Sequence, residues 1–338
     1  MFQAAFNFVC SWFLVPPWSL AGWFVTGCLV WVVNRFRYRW CQSQANMEGK
    51  TVVITGANKG IGLETARDLA RRGATVIIAC RSVIRGTAAK DDILVSGVRG
   101  KVEVAELDLS YMASVRKFAR MLQGRKVDVL INNAAVADLP HQLTDEGLEL
   151  TVATNHLGHF LLTHLLMPGL QAACGRVVTL SSVGHTWIKD AKDLDLENDL
   201  KFQYTRPLRT LEIYTATKLM NVLFTNELHR KLQGTGVTAN CLHPGVVNTD
   251  IFNPMTSRVW YGIFIKIYVR FYAKSIAEGA QTSILLAASE TLEKVSGKYF
   301  DNCKEAECSS LARDEGLAKK LWEISERLVQ LQPEEQTI

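Results

Sequence analysis

Between residues 51 and 80 the chain carries a pattern that few folds accommodate. A β-branched run, TVVIT at 51–55, stops at a glycine and reads as a buried strand. TGANKGIG follows, with Gly56, Gly60 and Gly62 opening an amphipathic helix over 63–72. After RRGA a second apolar run, 75–79, reads as another strand. In this order two parallel strands share a sheet, and the glycine turn lies at its carboxyl edge. Glycines let the backbone turn tightly and approach a pyrophosphate, which rests on the free N–H groups of the helix N-terminus. The spacing therefore predicts an α/β chain that binds a dinucleotide in this turn.

The alternation continues. Further strands are read over 102–107, where ELDLS follows, over 127–135 (VDVLINNAA), and over 176–184 (RVVTLSSVG), which carries two serines. Together these predict a single Rossmann-like domain, a doubly wound parallel sheet, over 47–302. Candidate dinucleotide contacts in the turn are Gly56, Asn58, Lys59, Gly60, Ile61 and Gly62. Asp108, with Leu109, is placed near an adenine, and Asn133 and Ala134 beside a ribose. An Asp ahead of a helix also serves as an N-cap, the plainer reading of Asp108. A carboxylate ending the second strand would accept a hydrogen bond from a ribose 2′-hydroxyl. Here Cys80 holds that position, Arg81 follows, and Lys59 sits in the turn. Two cations and no acid suit a 2′-phosphate, so NADP(H) is expected. The alternative is that both are solvated surface charges.

The run IYTATKLMNVLFTNELHRKL reads as a long helix with Tyr214 and Lys218 on one face. A Tyr-x-x-x-Lys pair arises easily by chance; its place after a serine-ended strand gives it weight. TGANKGIG, NNAA, Asn155 in TNHLGHF, the serines before Tyr214 and Lys218, and HPGVVNTD resemble the short-chain dehydrogenase/reductase superfamily over about 47–302. The long serine-to-tyrosine segment, HPGVV and SGKYFDNCK are similar to its membrane-anchored retinol dehydrogenase branch.

That resemblance implies roles. Tyr214 would exchange a proton with the substrate oxygen. The Lys218 ammonium and the positive nicotinamide would together lower the phenol from its ordinary pKa of ~10, and Lys218 would hold the nicotinamide ribose. Ser182 would bind and polarise the carbonyl. Ser181 is the alternative, since neighbouring strand residues face opposite ways. Asn155 would brace the active-site helix and order a water leading to Lys218; a helix-capping Asn is the plainer reading. Pro244, Gly245, Val247 and Thr249 would fix the nicotinamide. The chain departs from the family at Ala135, where glycine is usual, and in the segment 183–213, read as an insertion over the pocket. Histidines 156, 159, 164 and 185 lack a supporting acid cluster, so they read as structural and no metal is expected.

The N-terminus has a different texture. No charged residue occurs from Phe2 to Asn34, residues 18–33 are apolar apart from Ser and Thr, and RFRYR follows. This predicts an N-terminal transmembrane helix within residues 1–34, a basic linker over 35–46, and a catalytic domain facing the cytosol, with the endoplasmic reticulum the best-fitting membrane. A re-entrant hairpin turning at Pro16 and Pro17 is the alternative. Net charge is +5; without Arg35, Arg37 and Arg39 the balance is 35 basic against 33 acidic residues, so no nucleic-acid footprint is present. Eight cysteines show no metal-ligand spacing and suit a reducing compartment.

Residues 256–274 include a basic amphipathic stretch loaded with aromatics, suited to a lipid surface or to a lid on the core. Residues 303–338 read as a helical tail. The expected substrate is a hydrophobic alcohol or carbonyl, retinol or retinal first. A steroid or fatty aldehyde is the second expectation, and a non-catalytic NADP(H)-binding scaffold on a lipid surface the third. A homodimer is a further expectation.

Overall fold

The computed structural model describes residues 38–203, 210–249, 251 and 273–338. Contacts divide the chain into two units, Met1–Arg39 and Trp40–Ile338, and the sheet with its helices belongs to the second. The expected N-terminal span and nearly all of 256–274 lie outside the described residues. Among the described residues, no helix is long and apolar enough to cross a membrane.

Seven strands run parallel: β1 (Thr51–Thr55), β2 (Thr75–Cys80), β3 (Lys101–Glu106), β4 (Val129–Asn132), β5 (Arg176–Leu180), β6 (Thr238–His243) and β7 (Tyr299–Asp301). An eighth, β8 (Lys304–Ala306), returns antiparallel to β7. The order is β3-β2-β1-β4-β5-β6-β7-β8. The chain therefore steps outward from β1 to β3, then jumps back to β4 on the other side of β1. That reversal opens a crevice at the carboxyl ends of β1 and β4, the place where such sheets bind ligands.

Helices cover both faces, which is why the central strands are buried on nearly every residue rather than alternately. On one face Val52, Ile54, Val76, Ile78 and Ile131 pack under α1 (Gly60–Arg71), α2 (Val83–Val95) and the late helix that follows β6. On the other face Val53, Ile77, Leu130 and Val177 pack under α3 (Met112–Met121) and the helices that follow β4 and β5. The former is the short α4 (Leu150–Val152), which passes through a π turn (Ala153–Leu157) into α5 (Gly158–Ala173). The latter is α6 (Thr210–Lys231). The late helix is α7 (Ile276–Ala288), opened by a capping box between Ser275 and Glu278.

Two sequence expectations shift. The fourth strand is only four residues long, and the fifth ends at Leu180, so both serines stand beyond it. The SGKYFDNCK region forms the antiparallel β7–β8 pair, too short to announce itself by alternation.

The C-terminal segment is packed into the domain. Its helix α8 (Glu315–Leu328) buries Leu317, Leu321, Trp322 and Ile324. Trp322 meets Phe160 edge-on at 4.9 Å and stacks on Phe224 at 5.8 Å between ring centres. His156 donates to Ser325, whose own hydroxyl donates to Leu321. The segment 183–203 folds as short 3₁₀ turns whose Leu194, Leu196, Leu200 and Phe202 enter the same core. Ion pairs from Lys320 to Glu197 and from Arg327 to Asp199 tie it to α8. Arg116 grips the final residues, pairing bidentately with Glu335 and donating to the carbonyls of Val329 and Gln330.

Trp322 is thus a keystone of the α5–α6–α8 contact. Trp322→Ala is expected to lower unfolding free energy by about 3–5 kcal/mol, the range for deleting a large buried aromatic. Urea denaturation measures it; a loss below about 1 kcal/mol would contradict the packing role of α8.

Candidate active site

At the crevice, one hydroxyl joins three loops. Thr55, the last residue of β1, accepts hydrogen bonds from the backbone N–H groups of Asn133 and Ala134 at 2.9 and 3.0 Å. His159 Nδ1 donates to the Asn155 carbonyl, which leaves Nε2 to accept from Thr55 at 2.8 Å. Burial drives the His159 pKa down to about 3, so the ring stays neutral. The glycine turn, the end of β4 and the π turn are therefore fixed to one another.

The Asn133 side chain donates to the Thr55 carbonyl at 2.7 Å, beneath the glycine turn. A Cβ on Gly62 would lie 2.5 Å from Asn133 Nδ2 and 3.0 Å from the Gly56 carbonyl. Only glycine lets the helix start so close to its strand, and Gly56 and Gly60 both hold positive φ. Asn58, Gly60 and Ile61 remain at the mouth of the turn, partly accessible, with Lys59 exposed. Thr249 stands across from them, its Cγ2 at 3.8 Å from a Cβ built on Gly60. The space between is bounded by backbone and small side chains, a cradle that fits the pyrophosphate of a nicotinamide dinucleotide.

At the far end of β2, Cys80 is buried against Gly86, while Arg81 is exposed. Asp108 does not cap a helix; Tyr111 occupies the N-cap of α3. Instead Asp108 Oδ1 accepts from the Ser110 amide and hydroxyl at 3.0 and 2.6 Å, shaping the loop after β3, and Leu109 is buried.

The Tyr–Lys helix lies beside β5. Lys218 Nζ donates to the Leu180 carbonyl at 3.1 Å, and Asn221 donates to the same oxygen at 3.1 Å. Ser181 turns toward α6 and donates to the Lys218 carbonyl at 2.7 Å. Ser182 therefore faces the other way, within hydrogen-bonding reach of the Tyr214 hydroxyl. Its Oγ also accepts from the Gly184 amide at 3.1 Å. Asn155 sits in the π turn and caps nothing. It exchanges hydrogen bonds with the backbone of Val136 and donates to Thr217, whose hydroxyl donates to the Tyr214 carbonyl. This path links the π turn to α6.

The Tyr214 phenol is pushed up to about 12. Burial is the larger cause, and the Ser182 hydroxyl only partly offsets it. Lys218 Nζ lies 5.4 Å from the ring centre and is itself pulled down to about 8 by burial. Taking either charge out of water costs more than the pair recovers at that separation.

The loop after β6 completes the site. Gly245 has φ +93°, and a Cβ there would meet Lys274 Cδ and Cε at 2.8 Å. Lys274 also pairs with this loop through its backbone, donating to Val246 and accepting from Asn248. Val247 is buried against Gly279 of α7. Pro244, Gly245, Val247 and Thr249 thus stand at the carboxyl edge of the sheet next to the Tyr–Lys pair. Thr55, His159, Thr217 and Lys274 carry the geometry although none of them was expected as a site residue. A Thr ahead of the glycine turn is the one available signal; the others act through contacts remote in sequence. Among the described residues, no group of three His, Cys, Asp or Glu side chains could hold a metal ion.

A short chain dehydrogenase family model matches residues 50–187 and 205–260. Retinol dehydrogenase 12 of Mus musculus is 44% identical over 297 residues, covering 86% of this chain and 90% of that protein. Retinol dehydrogenase 14 of Homo sapiens is 42% identical over 302 residues, covering 84% and 88%. A crystal structure of an uncharacterised protein from Mycobacterium paratuberculosis aligns with TM-score 0.68 at 35% identity, over 87% of this chain and 98% of that one. L-sorbose reductase from Gluconobacter frateurii, solved with NADPH and L-sorbose, aligns with TM-score 0.61 at 20% identity, over 77% and 97%, a likeness of fold. The chain belongs to the short-chain dehydrogenase family and is an NAD(P)H-dependent oxidoreductase related to the retinol dehydrogenases.

Proposed function

We propose that this enzyme interconverts a hydrophobic alcohol and its carbonyl, retinol and retinal foremost, using NADP(H). The convergence of Tyr214, Lys218 and Ser182 on the carboxyl edge of β5, beside a dinucleotide cradle, carries this reading. Ser182 donates a hydrogen bond to the substrate oxygen and orients the carbonyl carbon. The reduced nicotinamide, when bound, supplies the hydride. Tyr214 delivers its proton to the same oxygen as negative charge develops there. A phenol held near 12 stays protonated at neutral pH, which favours the reductive direction. Lys218 reaches the nicotinamide ribose and keeps a positive charge behind the phenol. Asn155 holds α6 in place through Thr217 and orders a water toward Lys218.

Two exposed cations, Lys59 and Arg81, and the absence of a carboxylate at Cys80 support a 2′-phosphate over a free ribose hydroxyl. Asp108 and Leu109 border the adenine side, with Asn133 and Ala134 supporting the cradle from below. Exposed Val183 and Trp187, just after Ser182, offer apolar surface to a long hydrocarbon. The names of the relatives favour a retinoid, and an anchor within 1–34 would hold the site at the endoplasmic reticulum surface, facing the cytosol, where such molecules partition. A steroid or fatty aldehyde is the second reading. A purified-enzyme substrate panel separates the two.

Tyr214→Phe should lower kcat by about 10²–10⁴-fold, the span of general acid catalysis, while NADPH binding by fluorescence titration stays unchanged. Retained turnover would refute the acid role. Arg81→Asp should move the ratio of kcat/KM for NADPH over NADH toward NADH by about tenfold or more, the loss of one charge-assisted contact. An unchanged ratio would remove Arg81 from cofactor selection.

A further inference from the structure

One buried histidine lies directly behind the serine. His185 is 1% exposed and occupies the 3₁₀ turn Val183–Thr186 that Ser182 opens. Its Nδ1 lies 2.6 Å from the Ser182 carbonyl. Its Nε2 receives the backbone N–H of Ser309 at 3.2 Å. An amide can only donate, so Nε2 is unprotonated and the ring proton resides on Nδ1. His185 therefore donates to Ser182, and its tautomer is set by a residue from the segment that leads into α8. The ring rests on Tyr299 of β7, 5.0 Å between centres. Burial lowers the His185 pKa, which keeps the ring neutral as both hydrogen bonds require. On the other side Gly184 abuts Thr215, the neighbour of Tyr214, at a distance that admits no side chain without displacement. The turn bearing Ser182 is thus gripped from two directions.

We propose that His185 is a positioning residue: it holds the Ser182 carbonyl, and so the aim of the Ser182 hydroxyl at the substrate oxygen, against a fixed point at Ser309. The placement of the C-terminal segment is thereby transmitted to the site through a single imidazole. The same carbonyl also accepts from the His185 backbone N–H at 3.1 Å, so removing the Nδ1 donor leaves it a single hydrogen bond and loosens the aim of the Ser182 hydroxyl, which affects the chemical step rather than dinucleotide binding.

This inference rests on Ser182 acting on the substrate oxygen, and the experiment separates the two. The full-length enzyme is assayed with NADPH and retinal as wild type, Ser182→Ala, His185→Asn, His185→Gln and Ser182→Ala/His185→Gln. An Asn amide reaches the position of Nδ1, whereas a Gln amide reaches that of Nε2. His185→Gln should lower kcat about tenfold or more, as expected of a misaimed group, with NADPH affinity unchanged. His185→Asn should keep kcat within about threefold of wild type, since the donor to Ser182 is retained. In the Ser182→Ala background His185→Gln should cost nothing further, because the two act as one unit. Equal losses for His185→Asn and His185→Gln, or losses that multiply in the double variant, would overturn the proposal. Full activity of Ser182→Ala would instead overturn the role of Ser182 itself. Should the His185 variants fail to fold, ¹⁵N-imidazole NMR of the wild type decides: an Nδ1–H tautomer supports the proposal, and an Nε2–H tautomer contradicts it.

Discussion

One carbonyl oxygen organises the site. Leu180, the last residue of β5, receives both Lys218 Nζ and Asn221 Nδ2, while Ser181 returns a hydrogen bond to the Lys218 backbone. These three bonds stitch the end of a central strand to the middle of α6. Once they are made, Ser181 is committed to the helix and Ser182 must face Tyr214, because adjacent residues on an extended backbone point opposite ways. The spacing of four between Tyr214 and Lys218 then puts phenol and amine on the same side of the strand end. Serine, tyrosine and lysine are positioned by a single contact between strand and helix.

The same burial that fixes these groups sets their protonation. Tyr214 and Lys218 both lie out of water, and each is shifted toward its neutral form, the phenol to about 12 and the amine to about 8. At neutral pH the phenol keeps its proton. An amine near 8 is still mostly ammonium at neutral pH, donating to the Leu180 carbonyl and placed to stabilise charge that appears nearby. Around this pair the fold supplies neutral, hydrogen-bonded polar groups: His159 with Thr55, Asn155 with Thr217, His185 with Ser309. None of them places a competing ion in the pocket.

The sheet and its crevice are legible in the sequence because their signals are local. TVVIT, the glycine turn and the apolar run after it occupy one stretch of chain, and the structure realises all three. The Tyr–Lys pair is legible because helical period alone brings it together. Less is legible where a residue acts through a distant partner. In sequence Asn133 and Ala134 read as lining a ribose, and the hold of the Asn133 amide on Thr55, one strand away, does not show. Asp108 reads as an adenine contact or a cap, and the tight turn that Ser110 closes on it does not show in sequence. The acidity of Tyr214 escapes a sequence reading because a neighbouring cation is visible there and desolvation is not. The C-terminal segment shows only a mixed helical pattern; its apolar stripe has meaning once Phe160 and Phe224 are known to face it. Helix α8 in turn holds residues 183–203, which follow Ser182, so a part of the chain with no motif stabilises the part that carries the chemistry.

The central claim is that this scaffold moves a hydride onto a hydrophobic carbonyl. Incubating the full-length enzyme with all-trans-retinal and NADPH deuterated on the transferable face of C4, followed by mass analysis of the alcohol, tests it directly. The account predicts retinol carrying one deuterium at its carbinol carbon and a slower rate than with unlabelled cofactor. Unlabelled retinol, or no retinol at any cofactor concentration, would contradict it.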